Sequence, residues 1–301
     1  MAVTPPTRTV KPKPPATRTP TPVGNKKPAV VAKVFKAATW ETAKEGKRII
    51  GYADSGMGKT TLFSMLPNPK FIDFRGGSDK IRHPLTGEKL IHIPDVETFD
   101  DVRAVCHQPG LLVSGDTLVI DTGTEFEDRG LEWTLANIPH EKGKSIPIKR
   151  IEDYGWGKGY RHLYDTMKLP LADFDTLIKR GVSVAITCQM QQIEIAHAGG
   201  ENFLCDVPKL QHQHGKTTPA VWALYCEWAD HVLKIGYNDI QAEDGKAAGG
   251  VERAVFVHGK VYFKAKSRTI PSRFPIVSFS HPGDDTIWQF IFDENWPKED
   301  E

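Results

Sequence analysis

From residue 47 onward the chain alternates short apolar runs with longer mixed stretches. Five runs, RIIGYA (48–53), KFIDF (70–74), DTLVID (116–121), VSVAIT (182–187) and HVLKIGY (231–237), have their apolar residues nearly consecutive. Runs of that kind suit strands buried on both faces. Between them lie helical stretches near 59–66, 97–107, 124–137, 157–180 and 217–229. Alternation of strands and helices predicts βα units around a buried, mainly parallel sheet. After residue 250 the texture changes. ERAVFVHGKVYFKAK (252–266) reads as two strands around a turn at His258-Gly259, and FPIVSF and TIWQFIF as further short strands. The expected fold is therefore α/β, with a mainly parallel central sheet and a β-rich C-terminal end.

Composition narrows this picture. With 301 residues, 39% hydrophobic and 26% charged, the chain has the make-up of a globular protein that buries a full-sized core. No stretch approaches the ~18 consecutive apolar residues of a membrane span. Cys106, Cys188, Cys205 and Cys226 are far apart and form no CxxC, which reads as reduced thiols and a cytoplasmic protein without membrane attachment. The net charge of +1 conceals an asymmetry, because residues 1–28 hold six Lys/Arg, no acid and eight prolines. Such a segment cannot offset its ordering entropy by burial and reads as disordered. It has no apolar core of a signal peptide, and its charge suits either plain solvation or a grip on nucleic acid or a partner. The expected division is a disordered basic tail over 1–35, a folded domain over 36–292 and an acidic C-terminal tail over 293–301.

The strongest chemical signal follows the first strand. ADSGMGKTT (53–61) leaves RIIGYA and enters a helix, the setting of a phosphate-binding loop. Asp54, Ser55, Gly56, Met57, Gly58, Lys59, Thr60 and Thr61 would wrap ATP. The glycines let backbone N–H groups turn inward, and the helix start adds positive potential. Lys59 would reach the β- and γ-phosphates, and the Thr60 hydroxyl would ligate Mg²⁺. Ala53 stands where the pattern usually begins with Gly, at a strand end where a small residue suffices. Asp121, ending DTLVID, is placed to hold the same Mg²⁺. It is followed by Thr-Gly rather than Glu, which argues against ATPases with a catalytic Glu directly after that Asp.

The ordered set YADSGMGKTTL, FIDFRGG, IPDVETFDDV, TLVIDTGTEFE, ITCQ and KAKSR resembles the RecA-like phage ATPases of the Sak-four group, over roughly residues 47–270. The resemblance implies a RecA-like P-loop core, phage origin, and recombination on single-stranded DNA. It further implies that Gln189 senses the γ-phosphate. Lys266 and Arg268 would reach a neighbouring subunit's nucleotide, so the active species would be a homo-oligomeric ring or filament. Two DNA loops are also implied. The first, about 138–160, offers Lys142, Lys144, Lys149, Arg150 and Lys158 among Tyr154, Trp156 and Tyr160. Cations there would neutralise phosphates while aromatic faces stack on bases; the plain alternative is that the aromatics anchor the loop on the core. The second, about 190–216, offers Lys209 and Lys216 on a polar segment expected to be mobile. Cys205, His212 and His214 form a weak competing metal set, short of a fourth ligand.

One position departs from the pattern. RecA-like enzymes commonly place a water-polarising Glu shortly after the second strand, and here Arg75 stands in its place. A guanidinium stays charged and cannot act as a base. Three readings stay open: Asp73 or Glu125 supplies the carboxylate, hydrolysis is slow and ATP binding acts as a switch, or Arg75 contacts phosphate or DNA. The expectation is an ATPase of reduced activity, with a nucleotide-gated DNA-binding or loading factor as the alternative.

Overall fold

The computed structural model describes residues 45–143, 146–196, 199–212, 219–238, 240–243, 246–249 and 252–297. The proposed tail over 1–35, the first residues of the proposed domain and residues 298–301 lie outside the described residues. Each expected buried run is a strand. These are β1 (Arg48–Ala53), β2 (Pro69–Asp73), β4 (Thr117–Asp121), β5 (Ser183–Ile195) and β7 (His231–Tyr237), with a two-residue β3 (Ile91–His92) after β2. The sheet runs β3-β2-β4-β5-β1-β7 with every pair parallel. Beyond β7 come β10 (Arg253–Phe256) and β12 (Ile276–Phe279), both antiparallel. A separate antiparallel pair, β8 (Ile240–Glu243) and β9 (Lys246–Gly249), completes the strands of this region.

Both faces of the sheet are covered. On one, α2 (Phe99–His107), α3 (Gly123–Asn137), α4 (Lys158–Met167), α5 (Leu169–Lys179) and α6 (Val221–Trp228) pack against Ile50, Ile120 and Ile186. On the other, α1 (Lys59–Phe63) and the C-terminal helix pack against Ile49, Val119 and Ala185. The odd and even residues of β1 therefore serve different cores, as a strand's period of two requires. Capping residues set helix starts. Thr98 and Asp101 close a reciprocal capping box on α2, and Thr122 accepts from the Glu125 N–H to open α3. The expected helix over 157–180 is two helices. Pro170 has no N–H for the Thr166 carbonyl, and the chain breaks at Lys168.

The C-terminal end departs from expectation in two places. The hairpin at His258-Gly259 does not form. β10 pairs instead with β7 and β12, residues 260–263 make a tight turn, and β11 (Lys266–Ser267) adds antiparallel to the start of β7. TIWQFIF is helical rather than a strand. The α-helix α7 (Thr286–Trp288) opens on Asp284, whose carboxylate accepts from the Thr286 N–H and hydroxyl, and it continues as a π-helix over Gln289–Asp293. A short apolar run cannot be assigned from periodicity alone, and here Ile287 and Ile291, four apart, face one core. Residues 294–297 follow it back onto the body, where Trp296 meets Phe290 edge-on.

This C-terminal helix clamps α1. The Trp288 indole N–H donates to the Leu62 carbonyl at 2.8 Å, and its ring meets Phe63 edge-on with centroids 5.3 Å apart. In β1, a Cβ on Gly51 would come within 2.4 Å of the Phe63 ring, so glycine is what lets α1 settle so close. Trp288→Ala removes a buried indole and its hydrogen bond to the Leu62 carbonyl. We expect a loss of about 3–5 kcal/mol in unfolding free energy by denaturant titration. A loss below about 1 kcal/mol would mean that the clamp does not stabilise the fold.

Candidate functional site

The carboxyl ends of four adjacent strands form a row. Ala53 pairs with Gln189, Thr187 with Asp121, and Asp121 with Asp73. Over this row lies a cavity of about 430 Å³, walled by Ser55, Gly56, Gly58, Lys59, Thr60 and Thr61 on one side and by Asp73, Arg75, Asp121 and Gln189 on the other. Gly56 and Gly58 hold φ +78° and +85°, left-handed values that glycine adopts without a Cβ clash. The Met57 side chain turns into the core, which leaves its backbone to the loop. Asp54 contributes its carbonyl to Lys59 and does not wall the cavity. The Lys59 ammonium bonds the carbonyls of Ala53 (3.0 Å) and Asp54 (2.9 Å). Burial lowers its pKa from the ordinary lysine value, with Asp121 acting in the opposite direction. Because α1 is only five residues long, the positive potential here rests on loop N–H groups and Lys59 more than on an extended helix.

Thr60 and Asp121 meet as the motif requires. The Thr60 hydroxyl donates to Asp121 Oδ2 at 2.6 Å, and the Thr187 hydroxyl donates to Oδ1 at 2.7 Å. The Asp121–Thr122 peptide is cis. A hydroxyl and a carboxylate side by side are hard oxygen donors, the set that suits Mg²⁺ with phosphate oxygens and water. Thr60 and Asp121 would hold such an ion, which would supply charge neutralisation for the phosphates. Thr187 orients the carboxylate from behind.

At the far wall, Asp73 is occupied. Its Oδ1 accepts from the N–H groups of Arg75 and Gly76, both at 2.9 Å, and its Oδ2 accepts from the Ser78 N–H at 2.6 Å. Burial works to raise its pKa, but the bonds from Ser78, Arg75 and Gly76 outweigh it and hold the carboxyl below the usual aspartate value. Arg75 extends along the wall and pairs with Glu125 of α3.

Gln189 sits where β5 leaves the parallel sheet. Its N–H donates to the Thr124 hydroxyl at 3.2 Å, and its Oε1 accepts from Lys209 Nζ at 3.3 Å. Lys209 is thus a neighbour of the cavity rather than part of a remote loop, a position that sequence distance conceals. Two stretches of the segment over 190–216, expected to be mobile, are strand. Met190–Ile195 pairs antiparallel with β6 (Phe203–Pro208) as a hairpin extending β5. Past it, the Gln211 N–H is shared between the two carboxylate oxygens of Glu127 at 2.8 and 2.9 Å, and burial pushes the Glu127 carboxyl up to about 8. Lys216 and His214 lie outside the described residues. Cys205 is buried, and among the described residues no three His, Cys, Asp or Glu side chains come together to hold a metal.

The segment 138–160 divides its aromatics between two tasks. Tyr154 is buried and its hydroxyl lies 3.0 Å from the Thr134 carbonyl and 2.6 Å from that of Ile138, so it anchors the segment. Tyr160 bonds Glu152 at 3.0 Å. Trp156 is 99% exposed, at φ +52° between Gly155 and Gly157. A left-handed backbone costs an L-residue about 1–2 kcal/mol, so the turn displays the indole at an energetic cost. Lys142, Lys149, Arg150 and Lys158 are exposed around it, with Lys158 paired to Glu141 and Arg150 3.9 Å from Asp153. Lys144 lies outside the described residues.

Lys266 and Arg268 lie at the opposite end of the sheet. Lys266 is in register with Val232, itself paired with Ile50, and Arg268 meets Asp230 at 3.4 Å. Neither lines the cavity over this chain's own phosphate loop. Arg253, which no local motif marks, lies beside that loop. Its Nη1 is 3.4 Å from the Met57 carbonyl and 2.9 Å from where a Cβ on Gly58 would stand. It also lines an adjoining cavity of about 280 Å³ with Gly58, Thr61, Leu62, Phe279 and His281.

A family model described as an AAA domain matches residues 45–269. Among solved structures, the KaiC-like protein of the hyperthermophilic archaeon Pyrococcus horikoshii OT3 is 12% identical, over 78% of this chain and 91% of that chain, with a TM-score of 0.37. No curated protein matches the sequence. With the family model spanning most of its length and a phosphate loop set against Asp121, the chain belongs to the AAA domain family, a family of P-loop ATPases.

Proposed function

We propose that this protein is a single-stranded-DNA-dependent ATPase that binds ATP with Mg²⁺ at the phosphate loop and acts in recombination of phage DNA. The phosphates lie against Ser55, Gly56 and residues 58–61, and the nucleoside end takes the adjoining cavity lined by Arg253 and Phe279. Gln189 meets the terminal phosphate and reports its presence through Lys209. The observation that carries the DNA reading is Trp156, an indole displayed on a strained turn among exposed cations. Base stacking on an exposed aromatic, with lysines tracking the backbone, is how proteins hold single strands without reading sequence. The phage and recombination parts rest on the resemblance in the ordered motifs.

Lys266 and Arg268 act on a neighbouring subunit's nucleotide in a ring or filament. Their absence from the walls of their own chain's cavity supports this, since cations stabilise a transferring phosphoryl group only at contact range. The alternative, a nucleotide held but not turned over, draws support from Arg75 standing where a Glu was expected. Phosphate release separates the two.

ATP turnover in the presence of single-stranded DNA is expected to exceed that without it, and Lys59→Ala should abolish both. Turnover equal to that of Lys59→Ala would leave the gated-binding reading. Trp156→Ala should weaken single-strand binding by about 1–3 kcal/mol in a fluorescence-anisotropy titration, with ATP affinity unchanged. Unchanged DNA affinity would remove the segment from the interface. Arg268→Ala should bind ATP yet lack turnover. Mixing it with Lys59→Ala should restore part of the activity, since hybrid contacts then contain one intact loop facing one intact arginine. Loss of ATP binding by Arg268→Ala itself, or no recovery on mixing, would contradict action in trans.

A further inference from the structure

A P-loop ATPase needs a group that orients the attacking water, and the cavity walls offer two carboxylates, both engaged. Asp121 is bonded by Thr60 and Thr187. Asp73 is capped by three backbone N–H groups. Among the described residues, one further carboxylate is bonded to a wall residue near the terminal-phosphate end. This is Glu125, in the first turn of α3, whose Oε1 accepts from Arg75 Nη2. Its side chain is 13% exposed, and that of Arg75, which lines the cavity, 65%.

The position suits the chemistry. β2 and β4 are neighbours with Asp73 opposite Asp121. The loop carrying Arg75 leaves β2, on the far side of β4 from the phosphate loop, and Arg75 reaches from it to Glu125 in the first turn of α3, which follows β4 directly. A terminal phosphate placed by Lys59, Thr60 and Gln189 is attacked in line, from the side away from the leaving oxygen. That approach comes from the β4–β2 edge.

We propose that Glu125 is the catalytic carboxylate that orients and deprotonates the attacking water, and that Arg75 is the positioning residue that holds it at the cavity mouth. This rests on the ATP-hydrolysis reading above. In the step, the water oxygen bonds to the γ-phosphorus. The bond from that phosphorus to the β,γ-bridging oxygen breaks, and its electron pair leaves with ADP. The water proton passes to the Glu125 carboxylate and from there to the departing phosphate or to solvent. The Arg at position 75 then follows from where the carboxylate resides: the acid is on α3 rather than after β2, and the residue after β2 is its cation.

The test compares wild type, Lys59→Ala, Glu125→Gln, Arg75→Ala and Arg75→Lys for ATP turnover with DNA present and for binding of a fluorescent ATP analogue. Glu125→Gln keeps the bulk, the bond to Arg75 and the backbone N–H that closes the cap on Thr122. It should lower kcat by about 100-fold or more, with analogue affinity within about twofold of wild type. Arg75→Ala should lower kcat more than it changes KM, with Arg75→Lys recovering part of the rate. Glu125→Gln turning over at the wild-type rate would overturn the assignment while leaving the ATPase reading intact. Loss of analogue binding at unchanged kcat would also overturn it, by making Glu125 a binding residue. Wild type no faster than Lys59→Ala would overturn both.

Discussion

The strand of the phosphate loop and the strand of Asp121 are not neighbours, since β5 lies between them. Two strand spacings separate β1 from β4 by roughly 10 Å, a gap that neither strand end bridges alone. The turn into α1 does so, by carrying Thr60 over the end of β5 until its hydroxyl reaches Asp121 at 2.6 Å. The cavity is the space left under that bridge, and Gln189, at the end of the intervening strand, lies at its base. The α1 position depends in turn on the core beneath it, where Phe63 covers Gly51 and Trp288 holds the Leu62 carbonyl. A C-terminal segment thereby supports the geometry of a loop more than 200 residues earlier.

β5 has a second consequence. Its first half is buried in the parallel sheet; past Gln189 it leaves the sheet as half of a hairpin with β6. The chain returning from that hairpin passes back over the cavity, where Lys209 meets Gln189 and the Thr124 hydroxyl donates to the Lys209 carbonyl at 3.0 Å. Two residues on, Gln211 bonds Glu127 of α3 through its N–H and the Tyr160 carbonyl of α4 through its side chain. Hydrogen bonds, with two residues of backbone between Lys209 and Gln211, therefore connect Gln189 to the helix whose preceding turn displays Trp156.

Much of the framework was legible in the residues. RIIGYA, DTLVID and HVLKIGY became strands with ends within one residue of those read, because continuous burial leaves a strand little freedom in length or face. Gly56 and Gly58 take the left-handed backbone conformations for which their glycines were read, because those φ values suit a residue without a Cβ. The illegible parts were those decided by partners. Phe-Val-His-Gly reads as a hairpin until β12 pairs with β10, and TIWQFIF reads as a strand until Asp284 accepts from Thr286 at its start and its apolar residues turn to one core. The pairing of Arg75 with Glu125 joins two residues 50 positions apart on different elements, and the sequence left it as one of several readings.

By itself the sequence determined the local matters: which segments are buried, where the chain turns, and that one loop is built for phosphate. Those follow from side-chain hydrophobicity and from φ,ψ limits, which act over a few residues. Tertiary structure decided the order of the strands, the meeting of Thr60 with Asp121 and Lys209 with Gln189, the placing of Arg253 beside Gly58, and the exposure of Trp156 in contrast to buried Tyr154. These depend on which non-local surfaces fit when two faces of one sheet must be covered at once, and no window along the chain contains both members of such a pair.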